Sequence, residues 1–212
     1  VPEINAEDVK KNKGIISNPN CSTIITLVAV NAINKLSKIK GMVASTYQAT
    51  SGAGAQGPVE LRDQENALLN GGEIKSEVFA YQIAENVIPH IGSFGADGYT
   101  TEEMKMQNEG RKILHLPELK VTCTCVRVPV VRSHSISVTV ITEDKLTVEQ
   151  VKEAVAKAKG CKLYDDMDSK QYPMPIVTSD QDLVYVGRIR EDLVFDGAIT
   201  LWCCGDQVRK GA

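Results

Sequence analysis

Two β runs stand back to back in the middle of this chain, "KVTCTCVRVPVV" at 120–131 and "SHSISVTVIT" at 133–142. No helix-length segment separates them, so the regular strand–helix alternation of a doubly wound fold is broken at its centre. In the second run Ile136, Val138 and Val140 alternate with Ser135, Ser137 and Thr139, the pattern of a strand wet on one face. Further strands are predicted at "GMVASTYQ" (41–48), "LVYVGRIR" (183–190) and "GAITLWCC" (197–204). Helices and strands therefore mix without a repeat. The expected fold is α+β, a mixed and largely antiparallel sheet with helices packed on one face.

The helices announce themselves by local chemistry. From 22 to 37, Ile25, Val28, Ala29, Ala32, Ile33 and Leu36 recur at three- and four-residue steps and make one apolar stripe. "SGAGAQG" (51–57) reads as a glycine-rich loop, after which Pro58 opens a helix that Gly71-Gly72 closes. Residues 73–99 carry glycines and a proline without clear period and read as a long excursion. Thr100 with Glu103, and Thr147 with Gln150, form capping boxes for two more helices. At 212 residues and 42% hydrophobic content the chain can bury a substantial core. Both ends look like cuts through a longer protein: the chain starts at Val1 without Met and stops just past a strand.

Charge and composition exclude several partners. A net charge of −3 gives no reason to expect nucleic acid or an anionic membrane. The aromatics are few and dispersed, and no apolar run approaches a membrane span. Six irregularly spaced cysteines read as reduced thiols of a cytoplasmic protein. Neither Cys123/Cys125 nor Cys203-Cys204 has metal-ligand spacing, so no metal is expected. No glycine fingerprint follows a strand in a βαβ unit, so no dinucleotide-binding domain is read here.

Chemistry concentrates around "SNPNCST" (17–23). Cys21 follows the apolar pair Ile15-Ile16, read as the end of a strand, and introduces the first helix. Open N–H groups and the helix dipole at that position would favour the thiolate and could also hold an oxyanion or a phosphate. Of His90, His115 and His134, the last stands out because "RVPVVRSHS" puts two arginines and an imidazole around one strand connection. Arginines there suggest an anionic substrate. Glu102 and Lys105 share a helix face, which by itself is an ordinary surface ion pair.

Read together, "SNPNCST", "STYQATSGAG", "EEMKM" and "RVPVVRSHS" resemble the aspartate-semialdehyde dehydrogenase family, and the likeness runs nearly to the end at "ITLWCCGDQVRKGA". The resemblance implies a catalytic and dimerisation domain over 1–212, like the C-terminal domain of glyceraldehyde-3-phosphate dehydrogenase. It implies Cys21 as the nucleophile forming a thioacyl intermediate, His134 as acid/base and Gln48 as the group orienting the carbonyl or a water. Arg127 would hold the substrate's α-carboxylate and Glu102 its amino group. Lys105 and Asn20 would hold phosphate, and Ser51, Gly52, Ala53 and Gly54 would lie beside the nicotinamide of NADP.

The implied reaction is NADPH-dependent reductive dephosphorylation of β-aspartyl phosphate to aspartate semialdehyde and phosphate, feeding lysine, threonine and methionine synthesis. A homodimer is implied as well. The amino-terminal cofactor domain and the carboxy-terminal helix of such proteins have no counterpart in this sequence, so the piece alone is expected neither to bind NADP well nor to turn over. Competing readings are N-acetylglutamyl-phosphate reductase or glyceraldehyde-phosphate dehydrogenase chemistry, a non-catalytic dimerisation module, and a papain-like thiol hydrolase using Cys21 and His134.

Overall fold

The computed structural model describes residues 1–211. After a 3-10 turn at Ala6–Lys11 the elements are α1 (Cys21–Asn34), β1 (Ile39–Gln48), α2 (Gln56–Asn70), α3 (Thr101–Ile113), β2 (Lys120–Arg127), β3 (His134–Thr142), α4 (Val148–Lys157), β4 (Cys161–Leu163), α5 (Pro175–Thr178), β5 (Val184–Glu191), β6 (Ile199–Gly205) and α6 (Gln207–Gly211). The strands form one six-stranded sheet in the order β2-β1-β3-β6-β5-β4. The pairs β1–β3, β3–β6 and β5–β6 are antiparallel, while β1–β2 and β4–β5 are parallel. The α+β reading holds.

α1 departs from expectation. Instead of presenting one stripe, it buries every residue from Ser22 to Ile33. It runs between the sheet and α3, α4 and α6, so it has no wet face. Leu36 lies past its end and is exposed. Among the described residues no strand precedes it, and Ile15 and Ile16 are exposed in an irregular segment. β2 stops at Arg127, and Pro129 lies outside the ladder. The "glycine-rich loop" tightens into a 3-10 turn at Thr50–Ala53, and α2 begins two residues before Pro58.

The excursion 73–99 is irregular but held. The buried Glu60 carboxylate of α2 accepts backbone N–H groups from Glu77 (2.8 Å), Val78 (2.5 Å) and Phe79 (3.2 Å). The buried Gln64 Oε1 accepts from Ile83 (2.7 Å) and Ala84 (3.0 Å). Two polar side chains one helical turn apart thus replace the ladder this segment lacks. The opposite face of the sheet stays open. Val43 and Tyr47 are exposed there, and Tyr47 meets Trp202 with ring centroids 5.4 Å apart.

Candidate active site

Strand register brings three distant residues to one edge of the sheet. β1 and β2 run parallel with Gln48 opposite Arg127, so the two strands end side by side. β3 runs the other way and starts at His134, next to the end of β1. α1 begins at the same edge. Its cap is Asn20, whose Oδ1 accepts from Thr23 N (3.1 Å) and from Ser22 Oγ (2.7 Å). Cys21 is the first residue of the helix, and its Sγ lies 3.4 Å from His134 Nε2.

His134 is fully buried and its tautomer is fixed by a backbone contact. Ala49 N–H donates to its Nδ1 at 3.0 Å, which leaves the neutral ring's proton on Nε2, facing the sulfur. Burial, followed by the nearby Arg127 charge, pushes the imidazole's pKa down to about 3. At neutral pH the ring is a hydrogen-bond donor to Sγ. It becomes a base at Nε2 only if Nδ1 gives up its bond to residue 49.

Cys21 corrects the expectation of a depressed thiol pKa. Burial, and next the Glu102 carboxylate, push it up to about 11, against the downward pull of the Ser22 N–H and Arg127. The helix start is present but is outweighed, because the sulfur is half-buried and an anion stands close. Cys21 is nonetheless the one cysteine of the six that is not buried. Alkylation by iodoacetamide should therefore be selective for Cys21 yet slow at pH 7, its rate climbing about tenfold per pH unit toward pH 11. A plateau already reached by pH 7 would refute the raised pKa.

The implied substrate groups surround this pair. Glu102 is buried on the first turn of α3, whose capping box is formed by Thr100 and Glu103. Its Oε1 accepts from Asn20 Nδ2 (2.7 Å) and Gln48 Nε2 (3.1 Å), and its Oε2 from Lys105 Nζ (3.3 Å). Glu102, Lys105, Asn20 and Gln48 are thus one network. The Lys105 pair is not an ordinary surface contact, since the carboxylate end is buried.

Arg127 is buried, donates Nη1 to Ala49 O at 2.6 Å, and has no carboxylate partner among the described residues. Burial lowers its pKa, while Cys21 and Glu102 oppose that. Burying a guanidinium without an anionic partner is costly. Arg132, the second arginine of the connection, is not available: it pairs with Asp206 (2.8 Å) and Asp180 (2.9 Å).

The turn 51–54 passes over the pair. A Cβ on Gly52 would lie 2.9 Å from both Arg127 Nη1 and His134 Cε1, so only glycine lets this backbone approach. Gly52, Ala53 and Gly54 are exposed, and Ser51 Oγ accepts from Gln207 Nε2. Gly52→Ala should cost about 1–3 kcal/mol of stability and change the reactivity of Cys21, read by urea unfolding and alkylation rate. Wild-type values in both would show that the turn can shift freely.

Sequence reasoning missed several supporting groups. Ala49 acts through its main chain. Gln207 Oε1 accepts from the N–H of Ser133, a residue held at φ 75° just before His134. Asp206 is fully buried and anchors Arg132 on the same turn. None of these has a local sequence signal, because each is defined by a partner far along the chain. Among the described residues no group of His, Cys, Asp and Glu could hold a metal ion, and no helix is long and apolar enough to cross a membrane.

The chain resembles known proteins over its whole length. Residues 30–210 match the family model described as "Semialdehyde dehydrogenase, dimerisation domain". An aspartate-semialdehyde dehydrogenase of Aquifex aeolicus is 48% identical over 215 residues, covering 100% of this chain and 63% of that protein. The counterpart from Synechocystis is 45% identical, with the same coverage. The crystal structure of aspartate semialdehyde dehydrogenase II from Vibrio cholerae superposes with a TM-score of 0.96 at 42% identity, again over 100% of this chain and 63% of that one. A second crystal structure of that protein is complexed with ASA. The chain spans less than two thirds of these relatives' length.

Proposed function

The chain belongs to the semialdehyde dehydrogenase family, dimerisation domain, and from that premise we propose that it is the catalytic and dimerisation domain of an aspartate-semialdehyde dehydrogenase. The reaction is reductive dephosphorylation of β-aspartyl phosphate to aspartate semialdehyde and phosphate. The observation that carries this reading is the Cys21–His134 contact beside a buried guanidinium that no carboxylate pairs with among the described residues.

Cys21 Sγ attacks the acyl carbon. An S–C bond forms as the thiol proton passes to the departing phosphate, whose C–O bond breaks and which leaves with the bonding pair. The thioester carbon is more electrophilic than a carboxylate carbon. His134 Nε2–H donates to the sulfur as it gives up its proton and then to the oxyanion of the tetrahedral species, which is the acid half of its role. Arg127 takes the α-carboxylate and Glu102 the ammonium, which fixes the acyl group over the sulfur. Lys105 and Asn20, both on the Glu102 network, face the leaving phosphate, and Gln48 orients the carbonyl.

Gly52, Ala53 and Gly54 are exposed next to His134, and we assign the nicotinamide of NADP to the turn Ser51, Gly52, Ala53 and Gly54. When bound, that group supplies or accepts the hydride. The test is phosphate-dependent reduction of NADP by aspartate semialdehyde, catalysed by the full-length protein that carries this chain. No turnover with that substrate rejects the assignment.

The family's description supports a homodimer. The open sheet face with Val43, Tyr47 and Trp202 is the surface assigned to it. Sedimentation at micromolar concentration showing only monomer would count against the dimer.

A further inference from the structure

We propose that Glu109 is a positioning residue for the nucleophile: its carboxylate holds the main chain of Asn20 and so fixes where the start of α1 presents Cys21. This rests on the function proposed above. Glu109 acts through residue 20 and not on the substrate.

The cap residue needs a hold from outside its own helix. Burial of Ser22 to Ile33 fixes the body of α1, but Asn20 stands before it with an extended main chain, at φ −59° and ψ 140°. The segment 11–18 ahead of it is exposed, and its bonds from Asn12 Nδ2 to Ile15 O and from Gly14 N to Asn12 Oδ1 are local. Pro19 has no N–H to give. The N–H of Asn20 donates to Glu109 Oε2 at 2.9 Å, and among the described residues this is the first main-chain bond from the segment to a distant element.

α3 supplies a grip at two points. Glu102, Lys105 and Glu109 recur at three- and four-residue steps, so one stripe of α3 faces the cap. Glu102 Oε1 takes the Asn20 side chain through Nδ2 at 2.7 Å, and Glu109, two turns farther on, takes its main chain. Gly110 lets the two helices close beside this contact: a Cβ there would lie 3.3 Å from Leu119 Cδ2 and 3.8 Å from Leu27 Cδ2 of α1. Glu109 is half-buried and forms no ion pair among the described residues, since Lys105 pairs with Glu102. A carboxylate taken partly out of water needs a donor, and the cap amide is the one it has. With both contacts made, residue 20 can neither swing its side chain nor slide along its main chain. The sulfur one residue on then stays 3.4 Å from His134 Nε2. A misplacement of about 1 Å in such a pair can cost about 10²-fold in rate.

Three variants of the full-length protein separate reach from charge. Glu109→Leu removes the acceptor. Glu109→Gln keeps an oxygen at the same reach without the charge, and Glu109→Asp keeps the charge but draws it back by one methylene. In the oxidation of aspartate semialdehyde with phosphate and NADP, kcat should fall about tenfold in Glu109→Leu, with KM for the semialdehyde within about twofold. Glu109→Gln should recover most of that loss and Glu109→Asp little of it. The iodoacetamide rate at Cys21, read at one pH, should rise about threefold or more in Glu109→Leu and Glu109→Asp as the loosened helix start uncovers the sulfur, with Glu109→Gln again closest to wild type.

Wild-type kcat and alkylation rate in Glu109→Leu overturn the inference and leave the function standing. Recovery by Glu109→Asp and not by Glu109→Gln assigns the effect to charge and also overturns it, as does an equal loss in all three variants, which assigns it to packing. A wild type inactive on aspartate semialdehyde removes the proposed function. The alkylation rates then decide the hold on Cys21 alone: the order given above supports it, and one rate in all four proteins overturns it. If Glu109→Leu fails to fold, the contrast between Glu109→Gln and Glu109→Asp decides the question in the same way.

Discussion

Replacing Cys21 with Ser lowers turnover of the full-length protein by on the order of 10⁴-fold or more, with the melting temperature little changed. The swap keeps size and polarity at the first position of α1, so the cap on Asn20 and the buried helix behind it are undisturbed. What is lost is the sulfur: a serine hydroxyl ionises far less readily, and the same burial and Glu102 carboxylate that push the thiol up to about 11 act on it too. A direct check uses the chain itself. Incubation with an acyl phosphate should add the acyl group at residue 21, seen by intact mass and peptide mapping, and the serine variant should stay unmodified. Acylation at another cysteine, or substantial activity in Cys21→Ser, would remove the thioester from the mechanism.

The second large effect is acid destabilisation through His134. In the unfolded chain the imidazole titrates near its ordinary 6.5, while in the fold its pKa is lowered to about 3. Below pH 6.5 the unfolded state takes up a proton that the folded state refuses. Stability contributed by this group is therefore full above pH 6.5 and falls as the pH drops toward 3. The slope approaches about 1.4 kcal/mol per pH unit and the total is on the order of 5 kcal/mol. Urea unfolding between pH 7 and pH 5 isolates the effect, because carboxylates contribute mainly at lower pH. His134→Gln should flatten this part of the curve. A wild-type curve already flat there would mean that the folded chain accepts the proton, and the fixed tautomer would be wrong.

What could be read in advance divides by range. The capping boxes at Thr100 and Thr147, the end of α2 at Gly71, and the alternation along β3 are written within a few residues and are found where they were expected. The family resemblance placed Cys21 and His134 in one site, and the fold brings them within 3.4 Å. Misreadings came from quantities that only packing decides. The dipole argument for Cys21 used helix position alone, and burial with Glu102 reversed its sign. Arg132 looked like a second anion binder until Asp180 and Asp206, dozens of residues later in sequence, claimed it. The excursion 73–99 looked formless because its order is imposed by Glu60 and Gln64, outside the segment.

Ala49 gives its N–H to the imidazole and its carbonyl to the guanidinium, so one residue with no functional group of its own links the two side chains. Any tug on the guanidinium by an arriving ligand reaches the ring through two torsion angles. An alanine scan, blind at a position already alanine, would pass over this hinge. Replacing that single amide by an ester through chemical synthesis would expose it.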